Sequence, residues 1–125
     1  MNQKFGKEYK LCNKRIIDEI FNSNQHLKSF PFVLKYIQTT LKSNTNFQVV
    51  ISVPKRKFKK AVDRNRIRRI IREAIRKNKY IIESVELSQN QKFALFLIYT
   101  SDKEESYQTI FDKIELLFKR LVDTI

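Results

Sequence analysis

The spacing of apolar residues divides the chain into helical and extended stretches. Leu11, Ile16, Ile17, Ile20 and Phe21 fall along one face of a helix expected over residues 13–23. Asn22-Ser23-Asn24-Gln25 ends it. Residues 30–41 alternate weakly and read as a strand, with Pro31 at its start, where a missing N–H does least harm. Ser43-Asn44-Thr45-Asn46 is a turn signal, and residues 47–53, rich in β-branched side chains, form a second strand. The two strands are expected to pair as an antiparallel hairpin. Pro54 closes the second, and a basic loop follows over residues 55–60. The strongest helical pattern covers residues 61–79, where Ile67, Ile70, Ile71, Ala74 and Ile75 make one apolar stripe. Residues 80–91 show no assignable pattern. Residues 93–100 are a short apolar run of strand length, expected at the centre of a sheet. Ser101 and Ser106 offer N-cap chemistry to a last helix over residues 107–123. Ile110, Phe111, Ile114, Leu117, Phe118, Leu121 and Val122 lie on one side of it. Helix, strand, strand, helix, strand, helix is the order of an α+β sandwich with helices laid on a small sheet. Residues 1–10 read as a loose arm.

Composition adds a size and a partner. A chain of 125 residues is one domain by default, and 42% hydrophobic residues with ten Phe supply a core. Lys and Arg total 26 against 13 acids, a net charge of +13, which points to a polyanion: nucleic acid or an anionic membrane face. The longest unbroken apolar run, Phe93 to Tyr99, is too short to span a bilayer. One cysteine, Cys12, excludes an internal disulfide and a cysteine-built zinc site, and suggests a reducing, cytoplasmic location. One histidine, His26, leaves little scope for a His-paired nucleophile. With one glycine, Gly6, neither a Walker A loop nor a dinucleotide-binding fingerprint can exist. A conventional protein-only enzyme is disfavoured.

The charge is concentrated. Residues 55–79 hold thirteen basic side chains and two acids, a net of +11, and the other hundred residues carry +2. On a helical projection Arg64, Asn65, Arg68, Arg69, Arg72 and Arg76 form a continuous arc beside and opposite the apolar stripe, with Lys60 one turn earlier. Arginine donates planar, bidentate hydrogen bonds to phosphate, so this face favours nucleic acid. A merely solvated face would mix signs and form i,i+4 pairs. Here Glu73 and Asp63 can neutralise few of the cations. A membrane helix would want Trp, Phe or Leu opposite its charges, and this one offers Ile and Ala, which suit a core. Asn65 either bridges phosphate, base or a hydrated metal ion, or makes a local hydrogen bond near the helix start.

Ile51-Ser52-Val53-Pro54-Lys55-Arg56, followed by Ala61-Val62-Asp63-Arg64-Asn65-Arg66-Ile67-Arg68-Arg69-Ile70-Ile71-Arg72-Glu73-Ala74, resembles the protein component of bacterial ribonuclease P. That family carries a strand ending in S-V-S/P-K-K/R and then A-V-x-R-N-R-I-K/R-R-x-x-R-E. Ile17-Asp18-Glu19-Ile20-Phe21 also fits the family's F-x-x-V-F pattern, and the likeness runs over residues 9–122. It implies one domain over residues 1–125, with 1–8 a loose arm. The implied fold is a small two-layer α/β sandwich related to a ribosomal-protein domain, with an antiparallel-dominated sheet and an unusual left-handed crossover. The implied function is to assist a catalytic RNA that removes the 5′ leader from precursor tRNA. The RNA carries the chemistry with Mg²⁺, so the chain would contribute no catalytic side chain and no metal ligand of its own. RNA-binding positions would be Lys55, Arg56, Lys60, Arg64, Asn65, Arg66, Arg68, Arg69, Arg72 and Arg76. A cleft for the single-stranded leader would use Ile17, Phe21, Phe32 and Lys35. The partners would be the catalytic RNA and precursor tRNA, with no membrane, and the protein a monomer outside the holoenzyme.

The sequence departs from the family pattern in two places. Ile17 and Lys35 stand at positions that are often aromatic, which weakens a stacking platform. The loop over residues 55–60 is one residue longer and lacks the family's glycine. In a generic domain Phe21 and Phe32 are more often core than cleft. Two rival functions remain. One is a non-enzymatic RNA-binding module, such as a ribosomal or assembly protein. The other is a protein-only nuclease, which would need a carboxylate cluster for two metals. Asp102, Glu104, Glu105, Asp112 and Glu115 lie around the last helix, where dipole and solvent already account for them.

Overall fold

The computed structural model describes residues 5–125. The first helix, α1 (Lys14–Asn22), starts where the Asn13 side chain accepts a hydrogen bond from the Ile16 N–H at 3.3 Å. The chain then enters a hairpin of β1 (His26–Ser29) and β2 (Phe32–Thr39), turning through a cis Phe30–Pro31 peptide. The strand expected over residues 30–41 therefore begins after Pro31, and β1 lies in a stretch whose polar sequence showed no strand pattern. β3 (Phe47–Ser52) follows. Then come α2 (Ala61–Asn78), a short α3 (Tyr80–Glu83), β4 (Lys92–Tyr99) and α4 (Tyr107–Val122). Ser106 caps α4 by accepting from the Thr109 N–H.

The sheet order is β1-β2-β4-β3. This corrects the expected hairpin, because β2 and β3 are not neighbours. β4 lies between them, antiparallel to β2 and parallel to β3. Its residues are apolar almost throughout, so both its edges and both its faces seek cover, and the centre of the sheet provides it. Parallel pairing of β3 with β4 needs a crossover of a dozen residues or more, which α2 supplies.

One face of the sheet packs on α2 and α4. Phe32, Leu34, Tyr36, Phe47, Val49, Phe93, Leu95, Leu97 and Tyr99 meet Ile67, Ile71 and Ile75 of α2 and Ile114, Leu117 and Phe118 of α4 there. Sheet and helix pair make the two-layer sandwich. Among the described residues the opposite face carries only α1, whose Ile16 and Ile20 cover Leu41 and Ala94. A nine-residue helix is too short to roof the whole face, so part of it stays open.

Residues 80–85, which lack a sequence pattern, are held by a distant partner, Asn46. The Asn46 N–H lies 3.0 and 3.1 Å from the two Glu83 carboxylate oxygens. Its side-chain amide donates to the carbonyls of Ile82 (2.9 Å) and Val85 (2.7 Å), and Lys92 Nζ donates to its Oδ1 at 2.8 Å. These bonds set residues 80–85.

The expected loose arm is docked from Phe5 onward, and residues 1–4 lie outside the described residues. Lys7–Tyr9 make a 3-10 turn, and Leu11 N–H donates to Val49 C=O at 3.2 Å, so the arm pairs with the outer edge of β3. Tyr9 is buried against Phe47, with Phe5 stacked on it at 5.0 Å. Lys79 Nζ lies 5.0 Å from the Tyr9 ring centre.

Burial and the neighbouring Glu83 carboxylate push the Tyr9 hydroxyl up to about 12. An unfolded tyrosine ionises near ~10, so the folded state holds this proton longer. Its contribution is complete below that value and is lost as pH rises toward 12. Urea melts from pH 9 to 11.5 are expected to show stability falling with pH. Tyr9→Phe is expected to flatten that fall, and an equal slope in both proteins would refute the assignment.

Candidate nucleic-acid interface

The basic loop and α2 are built together. Phe58 is buried against Tyr99, 6.0 Å between ring centres, and anchors the loop. Arg64 Nη1 donates to the carbonyls of Phe58 (2.7 Å) and Lys59 (3.0 Å), closing the loop onto the start of α2. Lys55, Arg56, Lys57, Lys59 and Lys60 are left exposed around it.

The arginines of α2 do not share one fate. Arg66 is engaged by two carboxylates: its Nε and Nη2 reach Glu104 at 2.7 and 2.8 Å, and its Nη2 reaches Asp63 at 2.8 Å. Glu104 foremost, then Asp63, holds the Arg66 guanidinium well above its ordinary pKa, and Arg66 in turn depresses that of Glu104. This fork ties α2 to the β4–α4 connection. Arg76 is paired with Glu73 one turn before it. Of the two readings of Asn65, the local one is present: its Oδ1 accepts from Arg68 Nη1 at 3.2 Å. Arg69 and Arg72 are exposed and have no hydrogen bond or ion pair among the described residues. Arg68, Arg69 and Arg72, at i, i+1 and i+4, are thus the most available donors of the helix.

The open part of the sheet makes a second surface. Phe21 is 47% exposed and sits edge-on to Phe96, 4.7 Å between ring centres. Lys35 Nζ lies 5.3 Å from the Phe21 ring. Ile17 is partly buried beside Ile37, Val50 and Phe96. Phe32 is not in this cleft. It is 1% exposed, faces α4 and packs on Tyr99 at 5.7 Å. Successive strand residues point to opposite faces, so Phe32 and Lys35, three apart, cannot share one.

Register identifies what takes the place of Phe32. Lys35 is opposite Phe96 and Val33 opposite Ile98. On β1, His26 is opposite Lys35 and Lys28 opposite Val33. Phe96, Ile98, Val33 and Lys28 are therefore the cleft residues that the sequence did not reveal. In an unbroken apolar run no alternation says which side chains face out; only the pairing does.

Among the described residues no group of three or more His, Cys, Asp or Glu is placed to hold a metal ion. The acids near α4 are dispersed. Glu104 serves Arg66, Glu105 accepts from Ser101 Oγ, and Asp112 from Gln108. No helix among these residues is long and apolar enough to cross a membrane.

Comparison with known proteins agrees with this architecture. The family model described as Ribonuclease P matches residues 5–122. A "Ribonuclease P protein component" from Porphyromonas gingivalis is 28% identical over 106 residues, covering 84% of this chain and 77% of its own. One from Pseudoalteromonas translucida is 26% identical over 121 residues, covering 94% and 76%. The solved RNase P protein of Thermotoga maritima superposes with a TM-score of 0.70 at 22% identity, over 89% of this chain and 96% of that one. The Staphylococcus aureus RNase P protein gives 0.68 at 23% identity, over 90% and 94%. These structures share the fold, and the match across nearly the whole length places this chain in the ribonuclease P protein family.

Proposed function

We propose that the chain is the protein subunit of ribonuclease P, working with a catalytic RNA to remove the 5′ leader of precursor tRNA. The observation that carries this reading is the face of α2 in a chain of this family: Arg68, Arg69 and Arg72 project from a rigid helix without a carboxylate partner among the described residues. Such a face, with the exposed cations of residues 55–60, suits the phosphates of a folded RNA. The half-open sheet face suits an unpaired leader. Phe21 and Phe96 offer ring surface for bases, and Lys35 and Lys28 offer positive charge for the backbone. Phe96 compensates for the aliphatic Ile17 and the basic Lys35 at positions often aromatic in the family.

In this reading the protein contributes binding and orientation. Arg66 is a positioning residue that fixes the connection leading to α4, and Arg64 shapes the basic loop. Mg²⁺, when bound by RNA and substrate phosphates, would supply the activation of water and the stabilisation of the leaving oxygen. The protein acts in the cytoplasm, as a monomer until it meets the RNA. A non-enzymatic RNA-binding module shares the basic helix but has no need of the leader cleft.

The test is cleavage of precursor tRNA at low Mg²⁺ with a bacterial ribonuclease P RNA alone, this protein alone, and both together. Mature 5′ ends are expected only with both. Cleavage by the protein alone would overturn the division of labour, and RNA binding without stimulation would favour the non-enzymatic module.

A further inference from the structure

A second groove lies along the outer edge of β3, between the docked arm and α2, and meets the open sheet face at Val50. It encloses about 380 Å³. That is within the range of sites for small organic ligands, roughly 300–1,000 Å³. Lys7 and Lys10 of the arm and Arg68 and Arg72 of α2 line it, and among the described residues no carboxylate does. Glu8, the acid of the arm, lines a different depression with Lys42 and Gln48. Phe5 and Ile51 give the groove apolar wall. Phe5 is stacked on Tyr9, which is itself buried, so the arm holds its ring and its two lysines in place.

The strand edge adds polar groups. Val49 C=O points outward, since it accepts from Leu11 N–H. Residues two apart on a strand direct their peptide groups to the same side, so Ile51 N–H and C=O also point outward. The arm bridges β3 only at Val49, and no strand lies beyond it among the described residues. One donor and one acceptor thus stand at the rim, beside an apolar wall and four cations.

The geometry points to a binding site for one unpaired nucleotide of RNA. Its phosphates lie on Arg68, Arg72, Lys7 and Lys10. Its base lies against Phe5 and Ile51, with its polar edge on the Ile51 peptide groups. A bare phosphate site would have no use for the apolar wall, and an apolar ligand no use for four cations. The inference rests on the reading of the chain as RNA-binding, and adds that the α2 face reads a splayed-out nucleotide together with the arm.

The probes are adenosine 5′-monophosphate, ribose 5-phosphate and inorganic phosphate, titrated into the whole protein and followed by its amide NMR spectrum at low salt. Adenosine monophosphate is expected to shift the amides of Gly6, Lys7, Lys10 and Ile51 saturably. Ribose 5-phosphate is expected to bind about fivefold or more weakly, the worth of one stacked base. Phe5→Ala is expected to erase that difference, and Arg72→Ala to weaken all three ligands. Equal binding of all three would overturn the nucleotide site in favour of charge alone. Shifts confined to the Phe21–Phe96 cleft, or no saturable shift, would overturn it altogether. Neither catalytic RNA nor precursor tRNA is present, so the groove and the subunit role can fail independently.

Discussion

Arg68, Arg69 and Arg72 replaced together by alanine are expected to lower affinity for ribonuclease P RNA by about a thousandfold or more, because each charged hydrogen bond lost costs roughly 1.5 kcal/mol or more. The plot of log affinity against log salt is expected to flatten by roughly one per arginine, as fewer counterions are released. Thermal stability is expected to stay within about 0.5 kcal/mol, since none of the three has a carboxylate partner to lose. Filter binding across a salt series, with a thermal melt of each variant, checks both statements. An unchanged slope would remove these residues from the interface. Arg66→Ala makes a contrast. It breaks the contacts to Glu104 and Asp63, so any loss of RNA affinity would come with a loosened β4–α4 connection.

Phe93→Ala is expected to destabilise the fold by about 3–5 kcal/mol, the usual cost of emptying a buried aromatic site. Phe93 is 0% exposed, stands edge-on to Tyr36 at 6.2 Å and faces the α2 and α4 layer from the central strand. Against a total stability of roughly 5–15 kcal/mol that is a large share, and the melting temperature is expected to fall by roughly 10 °C or more. Phe96, three residues on, points to the open face. Phe96→Ala is expected to cost less than half as much stability and to weaken binding of the single-stranded leader about fivefold or more. Urea denaturation and leader-oligonucleotide binding on the two variants separate the effects. A large loss of stability from Phe96→Ala with unchanged leader binding would assign that face to the core.

The parts legible in the sequence are those specified by neighbours along the chain. In α2, Ile67, Ile71, Ala74 and Ile75 are buried as their spacing predicts, and Ser106 caps α4 as expected. A helix closes its hydrogen bonds within four residues, so its pattern is complete in a short window. The basic arc is legible for the same reason, since one turn of helix sets which arginines stand together.

Other features depend on residues far apart. β1 is short, half-polar and at an edge, so it leaves no alternation, and only pairing with β2 makes it a strand. α3 has four residues and is held by Asn46, 37 positions from Glu83. Phe32 and Phe96 are alike as residue types. Register puts one in the core and the other in the cleft.

The sequence by itself determined the α+β class, the three main helices, the central apolar strand and the concentration of positive charge on one helix. All of these follow from local periodicity and composition. Only the tertiary structure decided that β4 enters between β2 and β3, that the arm becomes a wall beside α2, and that Arg66 is engaged by carboxylates where Arg69 and Arg72 are not. The reason is that strand order and ion pairs are settled by which distant groups can be satisfied together, and that choice leaves no mark in any single stretch of chain.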